Sequence, residues 1–289
     1  MAEHDRQTER DERGWRAQSR GCPALTAAVQ VSLACWPSAH QIDALLACLN
    51  PDGTSPLHEP LWGNLQAQHV QLVPQSRGLL DEQLVQTIKD RYPHTRFRLH
   101  ANARVQIVHR IIDLADLQSH PQAKDWFQDA ARVSQWLQAP VYSAHSGLRS
   151  RASLSEMLDN ARTLTDWFGC PVAVEGQYPT KEGEMLVNSW DEYQALLESG
   201  VPYALDLSHL NILARWTGSQ ERTLVAEMLA SERCLEVHVS ANDGTHDQHR
   251  LCASKRAPWW GDLMHHIHRD AVIFSEGNHR LRRSPAPQA

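Results

Sequence analysis

Apolar positions in this chain fall into short runs separated by longer stretches of helical period. The runs "AVQVSLA", "HVQLVP", "RFRLHA", "VYSAHS", "VAVEG", "YALDLSH", "LEVHVS" and "AVIFSEG" are rich in β-branched or aromatic residues and read as eight strands. Between them, "SLSEMLDNARTLTDWFG" opens with Ser153 three residues before Glu156 and closes at Gly169. A hydroxyl that caps the first turn, a carboxylate that reaches back to it and a terminal glycine together predict a helix. The same period recurs in "KDWFQDAARVSQWLQ", "SWDEYQALLESG" and "SQERTLVAEMLAS". Strands alternating with helices within a single-domain length predict an α/β fold of the (β/α)8 TIM-barrel type. A doubly wound open sheet is the competing layout. Its nucleotide-binding form is disfavoured, because neither G-x-G-x-x-G nor G-x-x-x-x-G-K-[ST] follows any strand.

The barrel is expected over 26–280. Residues 1–25 form a charged extension, either disordered or folded back over the barrel, and 281–289 form a tail. The end of the chain, "NHRLRRSPAPQA", is too short and proline-rich for a regular last helix. The stretch "NARVQIVHRIIDLADLQSHPQA" after the third strand is long for one connection and is expected to hold a substrate-facing loop and a helix.

Composition narrows the function. With Lys+Arg 28 against Asp+Glu 34 the net charge is −6, which offers a polyanion no general attraction. A nucleic-acid partner is disfavoured and a small-molecule substrate expected. The six cysteines are scattered without a C-x-x-C pair, which fits neither a disulfide framework nor a zinc ribbon. No apolar run is long enough to cross a membrane, and the N-terminal segment lacks a signal-peptide core, so a cytoplasmic setting is the default expectation. Histidine is abundant: 17 against 5 Tyr and 4 Phe.

The strand ends give the histidines a context. In a (β/α)8 barrel they converge on the face that carries the active site. The third strand ends at His100, the fourth at His145, the fifth at Glu175, the sixth at Asp206 with His209, the seventh at His238 and the eighth at Glu276. Asp247 and His249 follow in the loop after the seventh. Any one of these residues alone reads best as a satisfied core histidine or a salt-bridge partner. Gathered at one mouth, they would be unpaired buried carboxylates and imidazoles unless a cation held them. A His/carboxylate set without Cys suits Zn, Mn or Fe, and the number of groups allows one to three divalent ions per chain.

These motifs resemble the xylose-isomerase-like TIM-barrel superfamily, which holds sugar-phosphate isomerases and epimerases together with AP endonucleases of family 2, the endonuclease IV type. "LHAN" is similar to its strand-three histidine, "AHSG" to its H-P-G turn and "VEGQ" to its E-N segment. "LDLSHL" is similar to its D-x-x-H, "HVSANDGTHDQH" to its H-x-x-D-N-D-G followed by D-x-H, and "SEG" to its terminal glutamate. The resemblance implies metal coordination by His100, His145, Glu175, Asp206, His209, His238, Asp247, His249 and Glu276. The chain departs from the pattern where Pro is missing after His145, where Gly176 replaces Asn, and where "RLCASKRAPWW" replaces the P-x-G-x-G that follows D-x-H.

Three activities fit this reading. The first, and the one the sequence favours, is a metal-dependent isomerase or epimerase acting on a small polar, sugar-like hydroxy-carbonyl compound; the other two are alternatives. Glu175 and Glu276 would move the proton, Asn242 would shape the substrate loop, Arg104 would meet an anionic group and Trp259 or Trp260 would stack on a sugar ring. For the two tryptophans, core packing is an equal alternative. The second is phosphoester hydrolysis by two or three metals, as in the endonuclease branch. The third is a multinuclear iron-dependent oxidase acting on a peptide or small metabolite.

Overall fold

In a computed structural model the chain is described over residues 28–36, 39–73, 80–101, 103–105, 110–253 and 258–282. Most of the expected N-terminal extension and tail therefore lies outside the described residues.

Eight parallel strands close into a barrel: β1 (Val29–Ser32), β3 (Gly63–Leu72), β4 (Arg96–Ala101), β7 (Tyr142–His145), β8 (Val172–Glu175), β9 (Tyr203–Asp206), β10 (Cys234–Val239) and β11 (Val272–Ser275). These are the eight runs read from the sequence. β1 pairs with both β11 and β3, and this double pairing closes the ring. The remaining strands lie outside the barrel. β2 (Thr54–Glu59) runs antiparallel to β3, and β5 (Ala103–Val105) pairs with β6 (Arg110–Ile112) as a separate hairpin.

The helices are α1 (Gln41–Cys48), α2 (Glu82–Arg91), α3 (Ala123–Leu137), α4 (Leu154–Phe168), α5 (Trp190–Glu198), α6 (Leu207–Thr217) and α7 (Arg222–Ala230). α4 has the cap its sequence specifies: Ser153 Oγ accepts from the Glu156 amide at 3.3 Å, and Glu156 accepts from the Ser153 amide at 2.7 Å. The chain leaves α4 at Gly169 in the left-handed conformation, φ 65°.

Two connections differ from expectation. The described residues of the long stretch after β4 form the β5/β6 hairpin and a 3-10 turn, Leu114–Asp116, with no α-helix among them before α3. Among the described residues, the connection between β10 and β11 holds a 3-10 segment, Gly261–His266, in place of an α-helix, and His279–Arg282 after β11 is again 3-10. Among the described residues no helix is long and apolar enough to cross a membrane.

Strand register sets the level of the site. His145 lies opposite Glu175, and Asp206 lies opposite His238. One large apolar core, which includes Phe127, Met157, Leu164, Tyr193 and Trp260, packs the helices onto the strands and fixes that register.

Candidate metal centre

All nine strand-end and loop residues meet at one end of the barrel. Glu175 lies at the middle. His100 Nε2 is 3.3 Å from Glu175 Oε2, His145 Nε2 is 3.7 Å from Oε1 and His238 Nδ1 is 3.4 Å from Oε2. Glu276 Oε1 lies 3.5 Å from the same His238 nitrogen, and Glu276 Oε2 lies 3.8 Å from His249 Nδ1. His249 Nε2 is 2.8 Å from Asp247, which with Asp206 faces His209 Nε2 at 3.8 and 3.3 Å.

Local structure delivers each group. β9 runs into α6 without a loop, so Asp206 is both the last strand residue and the helix N-cap, accepting from the Ser208 and His209 amides. One helical turn then brings His209 back beside it, which accounts for the three-residue spacing. Gly244, with φ 82°, turns the loop after β10, and the Ala241–Arg250 bridge closes that loop so that Asp247 and His249 reach the mouth.

Hydrogen bonds on the far side of three rings decide which nitrogen faces the centre. His209 Nδ1 lies 2.9 Å from the Gly176 carbonyl, an acceptor, so this nitrogen carries hydrogen and Nε2 presents a lone pair to Asp206 and Asp247. Ser143 Oγ commits its one hydrogen to Glu236 at 2.7 Å, so His100 Nδ1, 3.0 Å away, must donate to that oxygen, and His100 Nε2 presents a lone pair to Glu175. His238 Nε2 faces the Glu236 carboxylate at 3.2 Å and leaves Nδ1 toward Glu175 and Glu276. Lone pairs facing carboxylates repel unless a cation, either proton or metal, lies between them. Glu175 Oε2, His238 Nδ1, His249 Nδ1 and Glu276 Oε1 are buried without a hydrogen-bond partner, as a metal-ligand set requires.

Among the described residues, two ligand groups have the spacing of a metal position, His100/His145/Glu175 and Glu175/Asp206/His238, with Glu175 common to both. The residues therefore fit one or more divalent ions. Without metal, protons fill this role at His209 and His238. Burial opposes charge on His209 and His238, but Asp206 lifts His209 to about 10, and Glu276 and Glu175 lift His238 well above the ordinary histidine value. Burial would raise Glu175, yet His100, His145 and His238 hold it well below the usual carboxylate range. Glu276 is raised to about 7, chiefly by burial. His100 is lowered to about 3, also by burial.

The other residues singled out in the sequence are placed differently. Trp260 is 1% exposed and stacks on Trp62 with ring centroids 6.1 Å apart, within the core. Trp259 packs partly buried against the same core, and its carbonyl accepts from Arg222. Asn242 donates to the Ser208 carbonyl and accepts from Asn211, so it ties the loop after β10 to the start of α6. Arg104 is on β5, and its side chain lies outside the described residues.

Three groups that the sequence did not single out also border the centre. Asp113, buried after β6, faces His145 Nδ1 at 3.8 Å, and burial pushes its carboxyl up. The Tyr178 ring lies 4.9 Å from that of His209. Glu236 lies beneath His238 and His100. Its one sequence signal is a charge in the inward register of an otherwise apolar strand, "CLEVHV".

No family model matches the sequence, and no curated protein matches it. Solved structures do. An AP endonuclease, family 2, from Brucella melitensis superposes with a TM-score of 0.56 at 14% identity, covering 88% of this chain and 94% of that one. A D-tagatose 3-epimerase-like protein gives 0.53 at 18%, covering 73% and 82%. The IOLI protein with a bound zinc atom gives 0.53 at 10%, covering 86% and 88%. The shared fold is the (β/α)8 TIM barrel. At these identities the likeness establishes the fold alone.

Proposed function

We propose that the chain is a divalent-metal-dependent enzyme that holds at least two ions and hydrolyses a phosphoester in a small polar molecule. The observation that carries this reading is the position of Glu175 in both ligand groups, where its carboxylate would be available to two ions. His100 and His145 would complete one position, and Asp206, His238 and Glu276 the other. His209, Asp247 and His249 would hold a third. Zinc, manganese or iron suits such donors. Metal bound by these residues would supply a hydroxide at neutral pH and charge neutralisation for the leaving oxygen. Around them, Ser143 and the Gly176 carbonyl hold the His100 and His209 rings, and Glu175, Asp206 and Glu276 are buried. The net charge of −6 favours a small substrate over a nucleic-acid duplex.

A second reading, an isomerase or epimerase, draws on one further observation. Glu175 and Glu276 approach the same nitrogen of His238 from two strands, at 3.4 and 3.5 Å. Carboxylates on two sides of one ion could remove a proton from one face of a carbon and return it to the other. The two readings separate in paired assays of the metal-loaded chain. Release of p-nitrophenol from p-nitrophenyl phosphate esters that rises with the second ion supports hydrolysis. Deuterium uptake from solvent into ketohexoses with one ion, without ester cleavage, supports the epimerase and rejects the hydrolase.

A further inference from the structure

We infer that Glu236, buried inside the barrel beneath the mouth, is a positioning residue that sets the ring orientation of a histidine in each of the two ligand groups. Period-two alternation along β10 points Glu236 and His238 into the same interior. Glu236 is fully buried, and its two oxygens divide the work. Oε1 accepts from Arg98 Nη1 at 3.0 Å, so a neighbouring positive charge keeps the carboxylate ionised. Oε2 accepts from Ser143 Oγ at 2.7 Å and faces His238 Nε2 at 3.2 Å.

From Oε2 one path runs directly to His238, whose Nδ1 then faces Glu175 and Glu276. The other runs through Ser143, whose oxygen is left to accept from His100 Nδ1, so that His100 Nε2 faces Glu175. One acceptor thus fixes the tautomer of a ligand in the Glu175/Asp206/His238 group and of another in the His100/His145/Glu175 group. Gln71 lies against the same ring nitrogen of His238, with its Nε2 2.8 Å away. Ser32 Oγ donates to Gln71 Oε1 at 2.6 Å and Gln71 Nε2 donates to Glu236 Oε2 at 3.3 Å, so Gln71, Ser143 and His238 all converge on this one carboxylate oxygen.

The inference rests on the metal reading of the mouth, and the test separates the two. The full chain is stripped of metal and titrated with zinc alone against a competing chelator, and histidine tautomers are read from nitrogen-15 chemical shifts. Outer partners of metal-binding histidines change affinity by about 10–100-fold when replaced. A loss of this size is expected for Glu236→Gln at both positions, with the His238 ring hydrogen moving to Nδ1. Ser143→Ala should weaken only the position that uses His100.

Because Glu236→Gln leaves Arg98 buried without its partner, the double variant Arg98→Met/Glu236→Gln removes both charges. It should fold and still bind zinc weakly. If the wild-type chain binds no zinc, the metal reading itself is wrong. If the wild type binds zinc but Glu236→Gln matches it in affinity and tautomers, or if the double variant regains full affinity, Glu236 only balances Arg98 and the inference is overturned.

Discussion

Replacing Gly176 with alanine should damage both the fold and the candidate site. A Cβ at position 176 would lie 2.5 Å from Cε1, Cζ and the hydroxyl oxygen of Tyr193, well inside van der Waals contact. The ring cannot easily retreat, because Tyr193 is fully buried and its hydroxyl donates to the Gln177 carbonyl at 3.0 Å. Overpacking of this kind costs about 1–3 kcal/mol. At about 1.4 kcal/mol per factor of ten, the folding equilibrium should fall by roughly 5–150-fold. The strain falls on the backbone between Glu175 and the Gly176 carbonyl that holds His209, so metal affinity should fall as well. Urea unfolding of the wild type, Gly176→Ala, Tyr193→Leu and the double variant measures this as a cycle. Gly176→Ala should cost much less when Tyr193 is already leucine. An equal cost in both backgrounds, or no cost in the wild type, would refute the reasoning. The same contact accounts for glycine at position 176, since any larger side chain would meet the Tyr193 ring with more atoms.

Further expectations follow from the same geometry. Glu175→Gln should lose metal and turnover while keeping its circular dichroism spectrum, because the shape is kept and the bridging charge removed; a variant with full turnover would show that Glu175 does not act as assigned. Trp260→Ala should cost about 3–5 kcal/mol in urea unfolding, as for other large core rings, and a surface-sized effect below 0.5 kcal/mol would contradict its core placement. In metal-free protein, His209 has its folded value raised to about 10, so the stabilisation it gives is complete below the ordinary histidine value of 6.5 and is lost as pH rises toward 10. Thermal midpoints of the metal-free chain should therefore fall across that window, and a flat profile would show that His209 does not carry the charge.

The barrel strands were legible because each buried strand is a short apolar run, and the site was legible because a barrel delivers strand ends to one face. His145 and Glu175, and Asp206 and His238, stand in register as that logic requires. What lay outside the barrel was harder to read. β2 has one apolar side chain besides Pro56, and the β5/β6 hairpin lies in a stretch whose apolar residues suit either period. Trp260 could not be assigned from sequence, since a ring next to a mouth loop can point outward or inward, and here the stack on Trp62 turns it inward. Glu236 and Asp113 were missed for a related reason: a carboxylate that acts through a histidine has no motif of its own and becomes visible only when its partner's ring is in place.

The most direct test of the metal centre is elemental analysis of the chain purified without added ions, alongside the variant Asp247→Ala/His249→Ala. The account predicts two or three transition-metal ions per chain in the wild type, and a lower content in the variant with the ion at Glu175, Asp206, His238 and Glu276 retained. A wild type that binds no stoichiometric metal, even when zinc, manganese or iron is supplied, would contradict it.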